Sequence, residues 1–241
     1  MLAYPNFLSS IIRNNFSLSS VDYPPPPVVQ EPYYVRFKTR KLSGNKPFRA
    51  LRYNYRMDLS ILYSIQDVCA HPALDAFFRY FTLLGNAGAL WIVIGLCMLL
   101  SPKWRFWGMC VLAALACVGL FNELGIKNLV ERVRPYIEHG IATPHIFPPT
   151  SYSFPSGHTG CSFAAATVLT LAPIKKHWKA LAWIVALLIS FSRMYLFVHY
   201  PSDVLVGALL GALYGFLVVK VALALHAKHS SNAAPGKHAA L

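Results

Sequence analysis

From residue 83 onward the chain is a series of long apolar runs separated by short polar breaks. The runs lie near 83–101, 105–125, 159–173, 178–198 and 203–226. Most approach the roughly 20 residues that a helix needs to cross about 30 Å of hydrocarbon, so the pattern predicts five transmembrane helices. The run at 159–173 is the shortest, and it reaches span length only with the residues just before it. Upstream, MDLSILYSIQDVCAHPALDAFF (57–78) sets Leu59, Leu62, Ile65 and Val68 at helical spacing among polar residues. That spacing predicts a short amphipathic helix on the bilayer surface. The predicted fold class is all-α, a polytopic membrane helix bundle of five transmembrane helices behind a short amphipathic helix. A crossing within 57–80 would make six.

Composition agrees with a membrane class. Of 241 residues, 56% are hydrophobic and only 13% charged, against roughly 25% charged in soluble domains, and mean hydropathy is +0.45. The net charge of +13 suits an anionic partner: nucleic acid, a membrane surface or a phosphorylated substrate. Cys69, Cys97, Cys110, Cys117 and Cys161 fall mostly inside apolar runs, without the paired spacings of a zinc site or disulfide framework, and read as small core residues. The first 15 residues lack a basic stretch followed by an apolar core, so insertion is expected from internal segments.

Residues 1–56 differ from the rest. They hold YPPPPVV (23–29) and nine basic residues against Asp22 and Glu31, which predicts a flexible, Pro-containing extension that is either solvated or resting on anionic headgroups. A natural start at Met57 would equally explain the change there. Residues 57–226 are expected to form the membrane domain and 227–241 a flexible cytoplasmic tail.

The breaks between runs carry an orientation signal. Lys103 and Arg105, then Lys175, Lys176 and Lys179, then Lys228 and Lys237 fall on one side of a five-span chain. By the positive-inside rule that side is the cytoplasm. The 126–158 connection and the turn around His199 then share the extracytoplasmic face.

Three segments on that face carry chemistry. In KNLVERVRP (127–135), Lys127 and Arg134 are seven residues apart, about 700° of helical rotation, so on one helix they would project within roughly 20° of each other. Pro135 is expected to end that helix. The pair could clamp two oxygens of a phosphate, or simply be a basic, snorkelling helix end. SFPSGHTG (153–160) offers Ser156 as an N-cap and Gly157 for close backbone approach, with His158 in the first turn of an apolar helix; such an N-terminus attracts anions. SRMYLFVHYPSD (192–203) places Arg193 near a span end, His199 before the Pro201 break, and Asp203 four residues after His199. An Asp203 that accepts the imidazole N–H would fix the tautomer and leave the other ring nitrogen free to attack. Each segment alone also reads as ordinary interface structure. Together they supply three cations, a helix N-terminus, two histidines and a carboxylate, the set that phosphoryl transfer needs. No cysteine or carboxylate cluster suggests a metal, and the cations would replace one.

The pattern Lys, six residues, Arg-Pro; then Pro-Ser-Gly-His; then Ser-Arg, five residues, His, three residues, Asp closely resembles the signature of the type 2 phosphatidic acid phosphatase superfamily. It stands here as Lys127, Arg134 and Pro135, then Pro155 to His158, then Ser192, Arg193, His199 and Asp203. The likeness covers about 57–226, including Gly85-Asn86, common in bacterial members. It implies a phosphoric ester or diphosphate hydrolase that works without a cofactor or metal. In that reading His199 is the nucleophile, Asp203 orients it, and His158 is the general acid. Lys127, Arg134, Ser156, Gly157 and Arg193 hold the phosphate. Soluble vanadium haloperoxidases share the signature, but five spans argue against them. The compact five-span form resembles bacterial undecaprenyl diphosphate phosphatases, which recycle the cell-wall lipid carrier; phosphatidylglycerophosphate or phosphatidate phosphatases are the alternative. The implied partners are a lipid phosphate and membrane lipids, with no nucleic acid. A small non-enzymatic transporter or lipid-binding membrane protein would also carry intramembrane charge, but leaves a His and Asp beside an anion site unexplained.

Overall fold

The structure, a computed structural model, describes residues 55–141, 149 and 151–233. The extension expected at 1–56 lies outside these residues except for its last two. Every regular element among them is helical. Helix α1 (Tyr55–Cys69) is followed by α2 (Pro72–Phe81), a 3-10 turn (Thr82–Gly88) and α3 (Ala89–Leu99). Next come α4 (Arg105–Cys117), a π-helical segment (Val118–Ile126), and the short α5 (Lys127–Val130) and α6 (Pro135–Glu138). The chain ends in α7 (Gly157–Leu171), α8 (Lys176–Tyr195) and α9 (Pro201–Ala233). Helix α9 thus continues through 227–233, into the stretch expected to be a tail.

The polytopic bundle is as predicted. Four stretches are long and apolar enough to cross a membrane: Pro72–Leu99, Arg105–Glu138, Lys176–Tyr195 and Pro201–Lys228. The first takes in α2 and α3, between which Asn86, Ala87 (φ 49°) and Gly88 (φ 72°) leave helical geometry. The fifth predicted span is α7. Its 15 residues reach about 22 Å, and it runs from the end where Ser156 N meets Asp203 O to the end where Lys179 Nζ meets Thr170 O. Ala164, Ala165, Ala166 and Val168 are fully buried, so this helix lies at the centre of the bundle, covered by its neighbours.

Helix α7 packs on α9 along a seam of small residues. A Cβ at Gly211 would collide with the Gly160 carbonyl, and one at Gly207 with that of Ser156. The two backbones therefore meet with nothing between them. This contact sets the N-terminus of α7 beside that of α9, where Ser156 N donates to Asp203 O at 3.0 Å.

Helix α1 docks on the turn that follows α8. Leu62 is fully buried against Phe197 and Tyr200, with Leu59 beside it, and Gln66 Nε2 donates to Tyr195 O at 2.6 Å. Val68, the last residue of the predicted stripe, is 83% exposed. Steps of three residues turn about 300° each, so Val68 has rotated to the face opposite Leu59, while Ile65 and Cys69 still pack against Tyr195, Leu196 and Val198.

The helices run alternately toward and away from one end. Helices α3, α7 and α9 start there, while α4 and α8 finish there. Lys103, Arg105, Lys175, Lys176 and Lys228 consequently lie toward the opposite end, where Lys179 Nζ donates to Thr170 O at 2.7 Å, closing off the end of α7.

Candidate active site

Lys127 and Arg134 reach the site by a route different from the one their spacing suggests. The single helix expected across KNLVERVRP ends at Val130, because Glu131 adopts a left-handed conformation (φ 52°). Pro135 does not terminate that helix; it opens α6 after an extended Arg134 (φ −75°, ψ 148°). Their common rotation about one axis is therefore not what unites them. Lys127 is aimed by the π-helical segment just before it, a local widening that shifts every later side chain around the axis. Arg134 is held by the facing strand of the connection. It donates to Ser151 O (2.6 Å), Tyr152 O (3.1 Å) and, across the site, Val198 O (2.8 Å). Ser153 N→Arg132 O, at 2.8 Å, fastens the two halves of the connection together.

The turn after α8 folds back on itself. Val198 N and His199 N both donate to Arg193 O, at 3.1 and 3.2 Å. Phe197 takes the left-handed region (φ 55°) to allow it, a conformation that a bulky residue keeps only where packing imposes it. His199 and Arg193 are thereby brought together, both almost fully buried. His199 Nε2 lies 3.1 Å from Arg134 Nη1. A guanidinium only donates, so Nε2 is the accepting nitrogen and the ring proton belongs on Nδ1. Nδ1 faces Asp203 Oδ2 at 3.5 Å. The expected His and Asp pair is thus in place, at ion-pair range and longer than a good hydrogen bond. Burial foremost, and then the charges of Arg134, Arg193, Lys127 and His158, hold the His199 imidazole well below the ordinary 6.5. The ring is neutral, and its lone pair is directed at the cations.

Pro201 opens α9 as expected, putting Asp203 in its first turn. Asp203 Oδ2 also accepts from Tyr200 N at 2.9 Å. Ser156 caps α7 as expected, its Oγ accepting from Thr159 N at 3.5 Å, with Gly157 as the first helical residue. His158 follows, its Nε2 2.9 Å from Asn86 Oδ1. All eight anticipated residues therefore gather at one end of the bundle.

Several residues to which the sequence alone assigns no role complete this arrangement. Arg132 joins Asp203 Oδ1 (2.7 Å) to Asp58 Oδ2 (2.7 Å) and stacks on the Tyr200 ring at 3.9 Å. Asp58, on α1, also accepts from Ser202 N (3.0 Å) and Ser202 Oγ (2.6 Å). Thr82 accepts from Arg193 and Ser192. Gly85 leaves room for the His158 ring, which a Cβ there would strike. Glu123 accepts two hydrogen bonds from Lys127 Nζ, at 2.7 and 2.6 Å. Among the described residues, no group of three or more His, Cys, Asp or Glu side chains could hold a metal ion.

Comparison with known proteins covers the stretch that carries Lys127 to Asp203. A family model described as the PAP2 superfamily matches residues 107–226. The chain is 32% identical to an undecaprenyl-diphosphatase of Sulfolobus acidocaldarius over 135 residues, 55% of this chain and 63% of that protein, so it spans just under two thirds of that relative's length. It is 31% identical to the decaprenylphosphoryl-5-phosphoribose phosphatase of Mycobacterium tuberculosis over 169 residues, 69% of this chain and 91% of that one. Among solved structures, a transmembrane PAP2 type phosphatidylglycerolphosphate phosphatase from Bacillus subtilis superimposes with a TM-score of 0.59 at 28% identity, covering 71% of this chain and 88% of that one. With this combination of fold, residues and likeness, the chain belongs to the PAP2 superfamily.

Proposed function

We propose that this protein is a membrane phosphatase that hydrolyses a lipid-linked phosphate through a phosphohistidine on His199. The observation that carries the reading is the orientation of that ring: Nε2, its accepting nitrogen, points at Arg134, and Nδ1 points at Asp203. A phosphoryl group drawn in by Arg134, Arg193, Lys127 and the first N–H groups of α7 would meet the lone pair in line. Nε2 attacks phosphorus, the bond to the lipid oxygen breaks, and His158 gives that oxygen a proton. The positive charge that develops on His199 is balanced by Asp203. Water then attacks the phosphohistidine, returning a proton to His158 and releasing inorganic phosphate. The cations and N–H donors stabilise the equatorial oxygens in both steps.

Two of the relatives above are named for substrates with long polyprenyl tails, which favours undecaprenyl diphosphate here. Likeness to the Bacillus subtilis enzyme favours phosphatidylglycerophosphate as the second reading. A transporter without catalysis has no comparable use for the Arg134, His199 and Asp203 series. Lys103, Arg105, Lys175, Lys176 and Lys228 lie toward the end opposite the site, which by the positive-inside rule supports a site that faces outside the cytoplasm.

The test is phosphate release from both lipids by purified protein in EDTA, with H199A as the control. The expected result is chelator-resistant release, faster on undecaprenyl diphosphate and abolished in H199A. Activity that survives H199A, or that disappears on chelation, overturns the mechanism. Faster release from phosphatidylglycerophosphate overturns the substrate assignment alone.

A further inference from the structure

Glu123 lies against two of the residues that the proposed function gives to phosphate, Lys127 and Gly157. It leaves the π-helical segment one turn before Lys127, and both its oxygens accept from Lys127 Nζ, at 2.7 and 2.6 Å. Its Oε1 lies directly over Gly157, so close that a methyl group on that residue would collide with the carboxylate. Gly157 begins α7, whose first N–H groups and positive dipole end face that position. Arg134 also lies close enough to interact electrostatically with Glu123. The carboxylate thus engages a cation and a helix N-terminus that the proposed function assigns to phosphate. A carboxylate and a phosphate compete for such donors because both present oxygen anions to N–H groups.

The two partners differ in freedom. The Lys127 side chain is 6% exposed, whereas that of Glu123 is 40% exposed. Lys127 is fixed in the wall, whereas Glu123 stands at an edge that the rest of the protein leaves open. Gly157 has a second meaning in this geometry: the absent side chain gives an anion its close approach, and here the anion is Glu123.

We propose that Glu123 is a resident anion, which holds the phosphate seat between turnovers and gives it up to the substrate. The proposal rests on the phosphatase reading above. When phosphate is absent, Glu123 keeps a buried lysine paired, which spares the cost of an uncompensated interior charge. When product phosphate remains on Lys127, Arg134 and Arg193, the returning carboxylate competes for Lys127 and speeds release. Glu123 therefore lowers the affinity of the site for any phosphate-like anion, where a purely structural partner of Lys127 would raise it.

The experiment compares inhibition by orthovanadate and by inorganic phosphate in full-length wild type, E123Q and E123A, purified in detergent and checked for monodispersity. The expected result is about tenfold tighter inhibition by both anions in both variants, the size of one charged hydrogen bond released from competition. KM should fall, and kcat should stay level or decrease as product release slows. Inhibition constants that are unchanged or raised in E123A overturn the proposal, because they make Glu123 a support for Lys127. A wild-type protein without vanadate-sensitive phosphate release overturns the functional reading, and this proposal with it.

Discussion

Arg132 lies between two carboxylates, with Nη1 2.7 Å from Asp203 Oδ1 and Nη2 2.7 Å from Asp58 Oδ2. The fork geometry of a guanidinium permits this double contact, and a lysine would not reproduce it. Asp58 in turn accepts from the Ser202 N–H at the start of α9. The orientation of Asp203, and through it of His199, therefore depends on α1, a helix outside the part of the chain that carries the signature. D58N should lower kcat by about 10 to 100-fold, the range expected from loss of one charged hydrogen bond worth about 1.5–3 kcal/mol, with a smaller change in KM. R132A should cost about 3–5 kcal/mol of stability as well, since it leaves both carboxylates without their cation. Steady-state kinetics with thermal unfolding in detergent checks both. A wild-type kcat in D58N would detach α1 from catalysis.

Asn86 supports the other histidine. Its Oδ1 is 2.9 Å from His158 Nε2, in the turn whose Gly85 gives the ring space. A general acid matters in proportion to how poor the leaving group is. N86A should reduce kcat on the lipid substrate by about tenfold or more while sparing p-nitrophenyl phosphate, whose leaving group needs little protonation. An equal loss on both substrates would instead mean a general distortion of the site.

The depressed pKa of His199 has two consequences of known sign. Its nucleophilic form is the neutral ring, which persists as pH falls through 6.5 because the folded value lies well below that. The acid limb of kcat/KM should therefore centre below 6.5. In the unfolded chain the same residue takes up a proton near 6.5, so the folded state loses stability as pH drops from there toward the lower folded value. H199Q should flatten that part of the stability profile. A rate profile whose acid limb centres at 6.5 would contradict the burial and charge assigned to the ring.

Orientation can be tested separately from chemistry. A tag inserted near Thr150, in the connection beside the site, should be accessible from outside intact cells, and one near Lys176 should not. The reverse pattern would put the site in the cytoplasm and change the pool of substrates.

Much of this was legible in the sequence because hydropathy and fixed spacing are local properties. The apolar runs locate the helices, and fixed spacings single out Lys127, Arg134, His158, Arg193, His199 and Asp203. What stayed hidden depends on tertiary convergence. Arg132 sits among other basic residues, and only the fold shows that Asp58, 74 positions upstream, is its second partner. Glu123 reads as one more polar residue at a helix end until Gly157 is laid against it. The break at Glu131 left no breaker residue to announce it, since no glycine or proline stands there. Helix α7 has the same apolar composition as the outer helices, and only the fold shows that it lies at the centre of the bundle.

The central claim, a covalent intermediate on His199, is tested most directly by brief reaction with substrate radiolabelled at the transferred phosphate, then alkaline denaturation and peptide mapping. The account predicts an acid-labile, alkali-stable label on the peptide containing His199, absent from H199A. Label on another residue, or no protein-bound label in an enzyme that is turning over, would contradict it.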